Sequence, residues 1–270
     1  MRTTQLIFTA YLFSSTTLAG VSDFYVAGAD SRIYSVDGET LQATEIFQID
    51  RNSQIGINDI LFTGGDTMLA NITGQLVQYD MVTGVQTTIM TISDHYDTGL
   101  QHAWGLTRTI DDRIGISIYE FGMPSGTRQA FGAYDPFTGD YEEVSSYPSD
   151  DAGYMDIHQV SSSTMLGLNW VDGHVTYVDL NDGSLINRFE FSFDPVSFLE
   201  LDGELLILDD RSRIYTFDVL TGEAESYGSI QGIDGTAIGA ASSVAFRIPA
   251  PGVPMVLAMG GLVAARRRRG

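Results

Sequence analysis

The 270-residue chain contains no cysteine and no lysine. Without thiols there are no disulfides, thiolate nucleophiles, iron–sulfur clusters or cysteine zinc sites. Without lysine there is neither a Schiff-base nucleophile nor a phosphate-loop lysine. All 14 basic residues are arginine, set against 35 acidic side chains, for a formal net charge of −21. That balance argues against nucleic acid as a partner, because neutralising phosphates needs a basic face. A Gly-x-Ser-x-Gly elbow, a glycine-rich phosphate loop and an alternating β–α pattern are missing too. The lack of cysteine does not exclude export, since a chain of this length can build a sufficient core without disulfides.

What is present favours strands and tight turns: Gly (29), Phe (14) and Tyr (13) are abundant. Five segments repeat one pattern: "RIYSVDGETL" (Arg32–Leu41), "LVQYDMVTGV" (Leu76–Val85), "FGAYDPFTGD" (Phe131–Asp140), "VTYVDLNDGS" (Val175–Ser184) and "IYTFDVLTGE" (Ile214–Glu223). Each is an alternating strand ending in aspartate, followed by two variable residues, a Thr or Asp, and usually a Gly. The aspartates are Asp37, Asp80, Asp135, Asp179 and Asp218, at intervals of 43, 55, 44 and 39 residues. An Asp there accepts backbone N–H groups two or three residues on, and Gly takes a positive-φ position. Five copies at one kind of turn therefore read as folding geometry rather than as ligand sites. A strand such as "VQTTIMTI" follows each motif, and two more, such as "INDILF" and "TMLANIT", precede it.

Four antiparallel strands per unit, in tandem, predict an all-β five-bladed β-propeller, or six blades if the 55-residue interval hides extra strands. The first repeat, Asp23–Asp50, holds only three strands, and Gln231–Phe246 reads as one innermost strand. Together they make a complete blade, so the ring closes by joining its N- and C-terminal strands. The repeats resemble propeller units with an "LY.ID..TG" core, found in many bacterial surface and periplasmic proteins. That resemblance covers nearly the whole body and implies architecture rather than function.

The two ends have a different character. Residues 1–19 have the layout of a secretory signal peptide: Arg2, an apolar stretch from Leu6 to Phe13, then Thr17 and Ala19 at −3 and −1 of a cut before Gly20. A first β-strand over "LIFTAYLF" is the alternative. The propeller domain then spans residues 20–247. Residues 248–270 place Pro249, Ala250, Pro251 and Gly252 before an apolar run, Val253–Ala265, and the cluster Arg266, Arg267, Arg268 and Arg269. As a helix the run would span about 20 Å against about 30 Å of hydrocarbon, short for a stable anchor. The arginines would hold its end at the cytoplasmic face. A terminal strand with a basic tag is the alternative. The order of proline motif, short apolar run and arginine cluster resembles the PEP-CTERM sorting signal of Gram-negative bacteria in its PAPG form. Ala250 stands where the usual Val-Pro-Glu-Pro has Glu. The resemblance implies export, transient membrane contact through the tail, and removal by a sorting transpeptidase of exosortase type. Delivery would be to the cell envelope, cell surface or extracellular matrix. Loss of both ends would leave nine arginines against the 35 acidic side chains, an exterior suited to solubility.

Residues that carry chemistry are few. His102 and His158 fall on predicted innermost strands of neighbouring blades and are the two weak channel candidates. The pairs Asp111–Asp112, Asp150–Asp151 and Asp209–Asp210 are of the type that binds Ca²⁺ or supplies acid and base in glycoside hydrolysis. In a chain this acidic, solvated turns explain them equally; no cofactor is expected, with Ca²⁺ the one candidate. Tyr34, Tyr79, Tyr134 and Tyr215 share one strand face and predict packing between blades. Trp104 and Trp170 lie on or near strands, and Asn71-Ile72-Thr73 fits a glycosylation acceptor. No catalytic, cofactor or metal set emerges. The expectation is a secreted, non-enzymatic binding, matrix or scaffold protein whose partner is a surface polysaccharide or protein. The alternative is an extracellular hydrolase or lyase acting at the channel mouth, with Ca²⁺ if it needs a metal. Buried carboxylates or histidines within hydrogen-bond reach in the channel would favour the enzyme.

Overall fold

The computed structural model describes residues 22–49, 57–72, 74–95, 100–123, 126–148, 154–169, 173–233 and 235–242. The expected signal peptide, the sorting motif with its arginines, Asp150–Asp151 and Trp170 lie outside them. The first blade holds β1 (Phe24–Gly28), β2 (Arg32–Val36) and β3 (Ala43–Gln48). The second holds β4 (Ile57–Gly64), β5 (Thr67–Ile72), β6 (Gln75–Asp80) and β7 (Gln86–Thr91). The third holds β8 (Leu100–Arg108), β9 (Ile114–Met123), β10 (Gly126–Tyr134) and β11 (Tyr141–Pro148). The fourth holds β12 (Asp156–Ser161), β13 (Thr164–Asn169), β14 (His174–Asp179) and β15 (Leu185–Glu190). The fifth holds β16 (Pro195–Leu201), β17 (Glu204–Asp209), β18 (Arg213–Phe217) and β19 (Ala224–Ser229). Last in the chain, β20 (Ala237–Ser242) returns to the first blade and pairs antiparallel with β1, Phe24 opposite Ser242. The ring is a five-bladed propeller closed by both chain ends. No sixth blade fills the 55-residue interval: long strands β8–β10 and a 3-10 turn at Ile92–His95 take it up.

The repeated turns form as their chemistry dictates. Asp80 Oδ1 accepts the N–H groups of Val82 (2.9 Å) and Thr83 (2.8 Å), and Gly84, at φ 70°, donates its N–H to the Asp80 carbonyl. Asp37, Asp135, Asp179 and Asp218 make equivalent bonds. The first repeat departs from the others: Leu41, at φ 55°, stands where they place Gly. Its side chain joins the apolar cluster between the first and fifth blades, and its carbonyl accepts Gln231 N–H. That packing offsets a backbone conformation costing about 1–2 kcal/mol.

Each seam between blades holds one apolar cluster, from Phe24, Leu206 and Ile214 at the first–fifth seam to Phe131, Ile157 and Met165 at the third–fourth. A blade therefore buries both of its faces, as the alternation of side chains along its strands allows, and the strand before each turn aspartate also carries a register shift against the outermost strand. In β6 the shift falls between Leu76 and Val77, which are both buried. Leu76 packs toward the third blade and Val77 toward the first. The tyrosines behave as expected of seam residues. Tyr79 packs against Phe47 of the preceding blade, Tyr134 joins the second–third cluster, and Tyr215 stacks on Phe193 at 3.9 Å.

Candidate functional site

The innermost strands are β4, β8, β12, β16 and β20. Asp59, Gly105, Asp156, Ser197 and Gly239 stand at one level in the middle of these strands and meet at the axis. Asp59 accepts Ile60 N–H at 2.8 Å and, from the next blade, Leu106 N–H at 2.6 Å. Asp156 accepts Ile157 N–H (2.6 Å), Phe198 N–H of the next blade (2.6 Å) and the Ser197 hydroxyl (2.8 Å). Ser197 Oγ in turn accepts Ala240 N–H at 2.9 Å. One backbone donor from each of the five strands is thus satisfied by just three side chains, as burial demands. The other two positions must be glycine. A Cβ on Gly105 would meet Asp156 Cα at 2.4 Å, and one on Gly239 would meet Asp59 Oδ1 at 2.7 Å. Packing this tight leaves no open channel at that level.

The two carboxyl groups are buried, at 1% and 2% exposure, and lie within hydrogen-bond reach of each other. Burial, and then the charge of Asp156, pushes Asp59 well above the usual carboxylate range. Burial pushes Asp156 up to about 7, although its three donors pull the other way. Two carboxylates so close and so dry resist double ionisation, so the pair retains a proton at neutral pH.

Past this plug, toward the ends of the innermost strands, a mouth of about 280 Å³ is lined by Phe62, Arg108, His158, Glu200, Asp202 and Ala240, among others. It runs into a groove of about 1000 Å³ that extends from the β8–β9 turn across β12 to the turns of the fifth blade. Glu200, Glu204, Glu223 and Glu225 stand around the groove beside Ile110 and Leu220. Asp218, also on its wall, is committed to the N–H groups of Leu220 and Thr221. Arg108 is committed to Asp112. Burial lowers the pKa of His158 against the opposing pull of Glu200, which keeps the ring neutral at neutral pH.

His158 lies two residues past Asp156 and lines the mouth. On β8, His102 lies three residues before Gly105, on the other side of the plug. Five residues of strand separate the two levels, about 16 Å, so the structure does not bring the pair together. Asp111 bonds Thr109 and Arg113 within its own turn, and Asp209, fully buried, accepts from the Arg213 backbone and guanidinium. Among the described residues no three His, Asp or Glu side chains converge as a metal set. Among them, too, no helix is long and apolar enough to cross a membrane. Asn71 is buried, its amide donating to the Trp104 carbonyl, and is not presented as a sugar acceptor. Sequence reasoning missed Asp59, Asp156 and Ser197. The available signal was an aspartate at the same place in two inner strands, "INDILF" and "YMDIHQV".

The chain matches no protein-family profile and no curated protein. Its fold is similar to that of a crystallised protein of unknown function from Bacteroides caccae. That match has a TM-score of 0.53 and 13% identity, covering 80% of this chain and 77% of the other. It is also similar to a luciferin-regenerating enzyme, with a TM-score of 0.50 and 10% identity over 82% of this chain and 80% of that one. Likeness at such identity concerns the fold alone.

Proposed function

We propose that this chain is an exported β-propeller that binds, rather than converts, a polysaccharide or protein of the cell surface or matrix in a Gram-negative-type bacterium. The observation that carries this reading is the division of labour around the axis. The reactive-looking carboxyl pair is sealed and fully engaged with backbone donors, while the large open groove beside it presents carboxylates and aliphatic groups. Such a surface suits recognition. The tail supplies the address: it contacts the membrane transiently until a transpeptidase of exosortase type removes it. Purified protein is expected to bind surface polysaccharide or envelope protein saturably, read by calorimetry, and to leave panels of glycans, esters and lactones unchanged.

One observation favours a second reading, that of a hydrolase or lyase at the channel mouth. Two buried carboxyl groups, Asp59 and Asp156, stand within hydrogen-bond reach of each other at the axis, the pairing an acid–base site needs, and burial raises the Asp156 carboxyl toward the range of a useful general acid. Saturable turnover of any panel member, abolished by Asp156→Asn in a variant that melts like the parent, would establish the enzyme and end the binding-only reading.

A further inference from the structure

Glu200, Glu204, Glu223 and Glu225 are exposed around one groove, and none forms an ion pair among the described residues. Every described arginine pairs with some other carboxylate, and Arg108, on the groove wall, is held by Asp112. Ile110 and Leu220 stand beside the glutamates at 56% and 88% exposure. An occupant that satisfies both sets of groups is cationic at intervals and aliphatic between them. Phe217, on the wall, is buried, and no Trp or Tyr lines the groove, so it offers no open ring face for a sugar to stack on. The chemistry therefore favours a polypeptide over a polysaccharide.

The mouth adds an anchor point. It shares Arg108, His158, Glu200 and Gly203 with the groove, so the two cavities are continuous. Phe62, Leu106, Phe198 and Leu199 give it buried apolar walls. Of its charged groups, Arg108 is paired, and Asp202 accepts the Ser22 N–H and hydroxyl at 3.0 and 2.7 Å. His158 is neutral at neutral pH, which leaves Glu200 as the free carboxylate. A slot of about 280 Å³ with apolar walls and one free carboxylate matches a long aliphatic stem carrying a cationic head.

We propose that the groove holds an extended basic segment of a partner protein, one arginine or lysine of which enters the mouth and pairs with Glu200. Further cations along the segment meet Glu204, Glu223 and Glu225, and the aliphatic side chains between them cover Ile110, Leu205 and Leu220. The inference rests on reading the groove as the recognition surface and names the class of its occupant.

The test uses the full chain and, as probe, a capped fluorescent peptide with Arg at alternate positions and Leu or Ser between, followed by anisotropy. Two variants lose the same charge: E200Q/E204Q/E223Q/E225Q in the groove, and E39Q/D66N/D94N/D140N at exposed sites away from it. Unchanged melting is the folding control. The groove variant is expected to bind about thirtyfold more weakly, and the other no more than about threefold, as the loss of general surface attraction predicts. Alone, E200Q should cost about tenfold, because its pair forms against apolar walls. E225Q alone should cost no more than about threefold, as for an open surface pair. Equal weakening in the two quadruple variants overturns the proposal, since attraction by net charge alone would explain it. So does displacement of the peptide from the groove by a glucosamine oligomer at lower concentration than by unlabelled peptide, which assigns the groove to a cationic polysaccharide. If the peptide does not bind while surface polysaccharide does, and the groove variant loses it, the polypeptide inference fails and the recognition reading stands. If neither binds, both fall.

Discussion

Asp59 and Asp156 are carboxyl groups buried at the axis of the ring, and their protonation is coupled to folding. Both have pKa values raised above those of the unfolded chain, mainly by burial. A raised folded value means that stability is fully present below the unfolded value of about 4 and is lost as pH climbs through the folded one. For Asp156 that window runs from about 4 to about 7. Asp59 extends the loss to higher pH. Urea midpoints are therefore expected to fall steadily from pH 5 to pH 9. Asp59→Asn removes one titrating group while leaving an amide N–H that donates to Asp156, so its profile is expected to be flatter and to cross above the parent at alkaline pH. A variant profile parallel to the parent's would show that the pair does not share a proton.

At the scale of the strand and turn, glycine does two separate jobs, and substitution distinguishes them. Gly139 sits at φ 80° in a turn with nothing within 4 Å of an added Cβ. Gly139→Ala therefore costs only backbone strain, about 1–2 kcal/mol. Gly105 has no positive φ, but its added Cβ would run into the Asp156 backbone, which cannot swing aside like a side chain. Gly105→Ala is expected to cost about 3 kcal/mol or more, the upper range of overpacking. Chemical denaturation of the two variants should rank them in that order; the reverse ranking would mean that the inner strands separate easily. The same distinction explains what the sequence reveals. The turn glycines follow a local rule, Asp to Gly in four residues, and so the five turns, the strand order and the closing strand are legible in the linear pattern. Gly105 and Gly239 owe their identity to aspartates 51 and 180 residues away in the chain. No local pattern marks them, which is why the axial cluster was hidden while the blades were not. Leu41 shows the intermediate case: it breaks the turn rule because a seam between the first and fifth blades holds it.

For the molecule as a whole, stability is shared among five seams, and closure decides whether any of them persists. β20 contributes Ala237 and Ala240 to the first–fifth cluster, the Ala240 N–H to Ser197, and Gly239 as the floor under Asp59. It also pairs along the whole of β1, which is otherwise an unpaired edge beside the axis. Two truncations therefore have opposite expected outcomes. Removing 248–270 should leave the cooperative melting transition in place, within about 0.5 kcal/mol of the parent, while abolishing delivery to the cell surface in fractionation. Removing 236–270 deletes the innermost strand of one blade, opens two seams and leaves Asp59 facing solvent. That chain should show no cooperative transition by calorimetry. If the shorter truncation also failed to fold, the tail would be part of the ring. If the longer one still melted cooperatively, closure by β20 would not be what holds the blades together.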